Sequence, residues 1–199
     1  MTDDAAIDAA VAAVGRGELV VLPTDTVYGI AARADDASAT AAIFEAKGRP
    51  RDLTLPILVA TEGEARRVAV FDGRATRLAA ATWPGPVTLV LPRTERSRGW
   101  DLGGDGTSIG VRVPDDPVAL ELLRRTGPLA ATSANRSGEP PAVDEDALRV
   151  AFGDRVAVYL IAEAPLTGSA SSVVDLTGPE PVILRRGDVD PAVIADLGG

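Results

Sequence analysis

The stretch Leu19–Ala32, LVVLPTDTVYGIAA, sets four apolar residues ahead of Pro23 and follows them with two threonines, an aspartate and a tyrosine. An unbroken apolar run closed by proline reads as a buried strand. The hydroxyls and the carboxylate come directly after it, at the strand end where open α/β sheets hold their ligands. This stretch therefore predicts an α/β sheet with the lip of a pocket at its edge.

Working outward, helical and strand patterns interleave along the chain. A helix opens it, with Asp3 or Asp4 as N-cap, alanine-rich turns through Val14, and Gly15 or Gly17 as the stop. A second helix fits DASATAAIFEAKG: Asp36 or Ser38 caps it, Ala42, Ile43 and Ala46 share a face, and Gly48 ends it. Leu55–Ala60 (LPILVA) and Gly85–Pro92 (GPVTLVLP) read as strands, with helices GEARRVAV and GRATRLAAAT between them. Further strands fit ELVVLP, SIGVRVP, PLAATS, AVYLIA, SSVVDL and PVILRR, and further helices fit DPVALELLRRTG, DEDALRVAFG and the tail from Pro191. The polar, glycine-rich stretch 93–106, RTERSRGWDLGGDG, is the best candidate for a mobile loop. Some neighbouring strands lack a helical crossover, so the sheet is expected to be mixed in direction and flanked by helices.

The chain has 199 residues, enough for one well-buried α/β domain, and 46% of them are hydrophobic. Only 4% are aromatic, so the core must be built from Ala, Val, Leu and Ile. There is no cysteine and no histidine. Disulfides, thiolate or imidazole metal sites and Ser-His-Asp triads are thereby excluded, leaving Lys, Arg, carboxylates, hydroxyls and backbone amides to do any chemistry. The acidic start MTDDAAIDAA lacks the basic character of a signal peptide, and no apolar run reaches the roughly 18 residues that span a bilayer. A cytoplasmic location away from membranes is expected. The formal charge of −9 means that the average surface repels a nucleic acid backbone, while a local basic pocket remains compatible with it.

Three short stretches gather polar groups at the ends of elements: PTDTVYG at 23–29, KGRP at 47–50 and TSANRSGEPP at 132–141. Each has a plain structural reading. Lys47 and Arg49 suit a helix C-terminus, where cations complement the dipole, and SANRSG suits a turn. In combination, and together with WPGPVTLVLP, GVRVP and SSVVDL…ILRRG in this order, they resemble the Sua5/YrdC/YciO family from about Gly17 to Gly187, closest to its short YrdC-like members. The fold this implies is a single YrdC-like α/β domain over 1–199, a twisted mixed sheet flanked by helices with a ligand cleft. The second domain of the longer Sua5 members is not expected here.

The resemblance implies a nucleotidyltransferase. L-threonine, bicarbonate or CO2 and ATP would give L-threonylcarbamoyladenylate and pyrophosphate, for the t6A modification of tRNA at A37. Such chemistry needs no covalent enzyme intermediate, but it gathers a triphosphate and carboxylate-like groups in one pocket and so requires cations. The resemblance places Lys47 and Arg49 on the phosphates as the catalytic pair, and Arg185 on the nucleotide. Ser133 and Asn135 would hold phosphate or carbamate, and Ser108 and the main chain at Leu53 and near Val143 would add ATP contacts. Thr26, Tyr28, Arg112, Thr132 and Ser171 would surround threonine, with Arg112 on its carboxylate. Mg2+ is expected to ride on ATP with no protein metal site, tRNA binding to be weak or indirect, and a separate t6A transferase machinery to take the product.

Two departures stand out. Many members carry Asn and Pro-Leu soon after Lys-x-Arg, and some a histidine at the end of the next strand near the amino acid. This chain has RDLTLPILVA, so Leu53 can offer only main-chain contact. Trp83 reads as a core anchor, Asp25 as a turn acid bonding its own backbone, Asp144–Asp146 as a helix N-terminus, and Asp101 and Asp105 as solvated. Competing expectations are a YciO-type paralogue or hydrogenase-maturation relative with another carbamoyl adenylate, and an RNA-binding module. The charge of −9 and the lack of an aromatic platform weigh against the last.

Overall fold

The computed structural model describes residues 4–163, 166, 168–187 and 189–198; Asp3, offered above as a helix cap, lies outside them. Among the described residues nine strands form one sheet, in the order β7-β1-β2-β6-β3-β5-β4-β8-β9. Their ranges are β1 Leu19–Leu22, β2 Gly29–Arg33, β3 Ile57–Leu58, β4 Val87–Pro92, β5 Ser108–Arg112, β6 Leu129–Ser133, β7 Val156–Tyr159, β8 Ser172–Asp175 and β9 Val182–Arg185. The sheet is mixed as expected: β1 runs parallel to β7, β3 to β5 and β4 to β8, while β1–β2, β2–β6, β3–β6, β4–β5 and β8–β9 are antiparallel.

The helices are α1 Asp4–Gly15, α2 Ala37–Lys47, α3 Glu62–Val68, α4 Gly73–Thr82, α5 Glu95–Arg98, α6 Pro117–Thr126, α7 Glu145–Phe152 and α8 Pro191–Gly198. Caps read from the sequence recur. Asp36 accepts the amides of Ser38 and Ala39 at the start of α2, and Gly48 closes that helix at φ 59°. Asp144 caps α7 through the Ala147 amide.

Two apolar layers sandwich one half of the sheet. Val20, Leu22, Ala31 and Ala131 pack with Ala10, Ala13 and Val14 of α1 and with Leu122 and Leu123 of α6. The alternate residues Leu19, Val21, Ile30 and Ala32 face Ala39, Ile43 and Phe44 of α2. Burial on both faces explains the continuous apolar run of β1. On the other half, Leu89, Leu91, Ile109, Val111 and Val174 point into the same layer as α3 and α4. The opposite face of β5, β4, β8 and β9 carries Ser108, Gly110, Arg112, Thr88, Val90, Val173 and Leu184, and it opens onto a cleft.

The stretch 93–106 differs from the mobile loop that its composition predicts. Arg93, 5% exposed, donates to the carbonyls of Ser108, Ser97 and Trp100, and α5 forms within the stretch. Leu102 is fully buried, and its carbonyl accepts the Leu55 amide at 2.8 Å. Gly103 and Gly104, at φ 74° and 66°, press so closely on 51–54 that a Cβ would lie 2.7 Å from the Arg51 carbonyl and 2.0 Å from Thr54 Oγ1 respectively. The loop is thus a brace beneath the segment that carries Arg49. Asp101 is exposed to solvent as expected, and it also pairs with Arg51 at 2.5 Å. Trp83 is an anchor as expected: its indole N–H donates to the Val87 carbonyl at 2.7 Å and its ring meets Phe71 edge-on.

Leu89 is fully buried in the middle of β4. Leu89→Ala is expected to cost about 2–5 kcal/mol in urea unfolding, whereas Val150→Ala, at a position 85% exposed, should stay within about 0.5 kcal/mol.

Candidate functional site

The cleft on the uncovered sheet face has a volume of about 470 Å³. Its rim begins at the lip after β1. Thr24 Oγ1 donates to the Val27 carbonyl at 2.6 Å and accepts the amides of Thr26 and Val27, so this threonine folds the turn. Thr26, 1% exposed, sets its hydroxyl 2.9 Å from Thr24 Oγ1 and accepts Arg112 Nη1 at 3.0 Å. The ring of Tyr28 lines the cleft, but its hydroxyl accepts the Ala162 amide at 3.1 Å and serves packing.

Arg112 ends β5 at 6% exposure. Its Nε donates to the Gly85 carbonyl at 2.9 Å and Nη2 to Asp25 Oδ1 at 2.6 Å. Arg185 ends β9, with Nε on the Ser171 carbonyl at 2.8 Å and Nη2 on Ser171 Oγ at 2.9 Å. Ser171 Oγ also lies 3.1 Å from Thr88 Oγ1, joining β4 and β8 across the floor. Arg49, just past α2, donates to the carbonyls of Leu53 at 3.3 Å and Thr54 at 3.2 Å.

These three guanidinium groups share one space. Burial lowers the pKa of each, and Arg185 adds like-charge repulsion to both Arg49 and Arg112. Asp52 opposes the shift at Arg49, and Asp25 opposes it at Arg112. Guanidinium holds its proton through any ordinary pH, so the cleft keeps these three cations, with Asp52 and Asp175 the carboxylates of its lining, inside a chain of net charge −9.

Of the residues singled out from sequence, Thr26, Tyr28, Arg49, Leu53, Ser108, Arg112, Thr132, Ser133, Ser171 and Arg185 line this one cleft. Lys47, Asn135 and Val143 are not among its lining residues. Lys47, 4% exposed, sends its ammonium to the Ser133 carbonyl, to the Asn135 carbonyl at 2.7 Å and to Asn135 Oδ1 at 3.3 Å. Asn135 in turn donates to the Arg136 and Glu139 carbonyls, so both side chains shape the loop after β6 from beneath. Burial, with Arg49 as a second cationic neighbour, pushes the Lys47 pKa down to about 8. Val143 is 58% exposed.

Asp25 departs from its expected turn role. Its carboxylate accepts Arg112 and the Asp115 amide at 3.0 Å, partners 87 and 90 residues away that no local rule reveals. Sequence reasoning also passed over Thr24, Asp52, Thr88 and Asp175 of the lining. No group of three or more His, Cys, Asp or Glu able to hold a metal occurs among the described residues, and none of their helices is long and apolar enough to cross a membrane.

Comparison with known proteins gives this geometry a family. A family model named Sua5/YciO/YrdC, described as "Telomere recombination", matches residues 12–187. A Mycobacterium tuberculosis protein is 47% identical over 195 residues, covering 97% of this chain and 89% of the relative. The threonylcarbamoyl-AMP synthase of Chromohalobacter salexigens is 38% identical over 182 residues, covering 89% of this chain and 95% of the relative. Among solved structures, Pyrococcus abyssi Sua5 complexed with L-threonine superposes with a TM-score of 0.87 at 35% identity, covering 97% of this chain and 57% of that one. Escherichia coli YciO gives a TM-score of 0.88 at 27% identity, covering 96% and 94%. With the motif-bearing strand ends gathered on one cleft and a family match spanning most of its length, the chain belongs to the Sua5/YciO/YrdC family.

Proposed function

We propose that this chain is an L-threonylcarbamoyladenylate synthase that condenses L-threonine, bicarbonate or CO2, and ATP, releasing pyrophosphate, as the first half of tRNA t6A37 synthesis. The observation that carries the reading is the convergence of Arg49, Arg112 and Arg185 on one cleft that they share with hydroxyls, apolar groups and the carboxylates of Asp52 and Asp175. Relatives named threonylcarbamoyl-AMP synthase and the threonine complex of P. abyssi Sua5 support it.

The amine of threonine and CO2 join to form a carbamate, losing one proton. A carbamate oxygen then attacks the α-phosphorus of ATP, the bond to the bridging oxygen breaks, and pyrophosphate leaves. The chain's task is to place the two anions against each other. Arg112 takes the amino-acid carboxylate through its two remaining N–H groups, one on each Nη, a fork that fits carboxylate geometry. Thr26, Thr132 and Ser171 supply polar groups around that amino acid, and Tyr28 a ring wall. Arg49 and Arg185 take the polyphosphate and nucleotide, with Ser108, Ser133 and the Leu53 main chain beside them.

Lys47 and Asn135, assigned above to the phosphates, act here from below by holding the 133–135 loop. Mg2+ enters with ATP, carried on its phosphates. A YciO-type paralogue shares the same fold and cleft, and substrate dependence separates the two. The location is the cytoplasm, where ATP and tRNA meet, and a separate transferase takes the adenylate onward.

Pyrophosphate release should require both L-threonine and bicarbonate. Serine, which lacks one methyl, should be poorer by about 10–200-fold, and valine poorer still because it leaves a hydroxyl partner unpaired. Arg49→Ala and Arg185→Ala should each lower kcat/KM for ATP by about 100-fold or more with an unchanged melting profile. Release independent of threonine would refute the assignment.

A second expectation concerns pH. Neutral Lys47 cannot donate to three oxygens, so activity should fall through an apparent pKa of about 8. Stability moves in the opposite direction. Between about 8 and 10.5 the unfolded chain binds a proton that folded Lys47 has released, so this group makes stability rise with pH there and adds no slope below. A rate profile flat to about pH 9.5 would remove the Lys47 charge from the requirement.

A further inference from the structure

The geometry points to Asp25 as the positioning residue that sets Arg112 for its anionic ligand, an inference that rests on the threonine reading above. Asp25 lies in the lip after β1, and its side chain is 14% exposed against the 7% exposed side chain of Arg112. One oxygen, Oδ1, takes both Arg112 Nη2 and the Asp115 amide, so the lip, the end of β5 and the turn before α6 meet at a single atom. Oδ1 is thus committed to the protein.

The guanidinium has five N–H groups fixed in one plane. Among the described residues three are taken, by the Gly85 carbonyl, Thr26 Oγ1 and Asp25 Oδ1. The Gly85 and Thr26 contacts are to neutral oxygens, while the Asp25 contact is charged and the shortest of the three at 2.6 Å. It fixes the rotation of the fork and leaves one N–H on each Nη for a bidentate anion. It also offsets the repulsion that Arg185 exerts on Arg112, which would otherwise be a buried cation without a counter-ion. Asp25 therefore acts on the amino-acid end of the cleft and leaves the nucleotide end, held by Arg49 and Arg185, untouched.

The test is steady-state pyrophosphate release with threonine and ATP varied separately. Asp25→Asn keeps the shape and removes the charge; it should raise KM for threonine by about 10-fold or more while KM for ATP stays within about two-fold. Asp25→Glu, which keeps the charge, should recover part of the loss even if Asp25→Asn melts earlier. In an Arg112→Lys background, Asp25→Asn should add little, because the group it positions is gone. An unchanged KM for threonine overturns the proposal. So does a lower one, which would make Asp25 a competitor for Arg112, and so does an equal rise in both KM values, which would mark a merely structural role. Wild-type release that does not depend on threonine overturns the functional reading and this inference together, and is thereby distinguished from failure of this inference alone.

Discussion

Like charges must be held close together in the cleft, and the fold answers this with carbonyl oxygens rather than with carboxylates. Arg49 rests on the Leu53 and Thr54 carbonyls, Arg185 on the Ser171 carbonyl and hydroxyl, and among the described residues Arg112 alone of the three has a direct carboxylate partner. Neutral acceptors orient a guanidinium without cancelling its charge, so the attraction for an incoming polyanion is preserved. At about 332/(εr) kcal/mol per pair of unit charges, the repulsion is appreciable in a partly dry cleft. Anion binding relieves it. Burial acts in the same sense, since it weakens the hydration that would otherwise compete with the ligand.

The distinction between arginine and lysine follows the same logic. Arginines, which cannot shed a proton, occupy the cleft, while the one lysine of the motif lies beneath it. Lys47 covers the carbonyl oxygens of Ser133 and Asn135 and the amide oxygen of Asn135, three negative dipole ends beside Ser133, which itself lines the cleft. Left uncovered, those oxygens would repel a phosphate. One buried cation thus offsets the dipoles of this wall.

How much of this could be read in the sequence depended on the range of the interaction. β1, β4, β5 and the caps at Asp36, Gly48 and Asp144 follow from local patterns, because burial on two faces and capping both leave short signatures. β2 was missed: GIAAR is short and alanine-rich, and only pairing with β1 and β6 makes it a strand. The stretch 93–106 looked mobile by composition, yet Arg93, Leu102 and the Gly103-Gly104 turn find their partners across the fold. Asp25 is the clearest case, since its neighbours in sequence suggest a local turn while both its observed partners lie beyond residue 110. The motif residues were legible as a set, but not the division between those that line the cleft and those that carry it.

In the middle of the sheet, parity decides which side chains line the cleft. On β5, residues 108, 110 and 112 face the cleft and 109 and 111 the core; on β4, 88 and 90 face the cleft. At the strand ends parity gives way: the neighbours Ala131, Thr132 and Ser133 of β6 and Leu184 and Arg185 of β9 all reach the cleft, as do residues of the loops held against the sheet. Gly110 shows the constraint at its tightest: a Cβ there would lie 3.1 Å from Pro56 Cβ and 3.3 Å from Thr88 Cγ2. A side chain at that position would fill floor space between Arg112 and Ser108, the groups assigned to the two ends of the substrate pair. Glycine keeps the floor open, and the short distance it preserves is what a reaction driven by positioning needs, since no histidine or cysteine is present to supply another route.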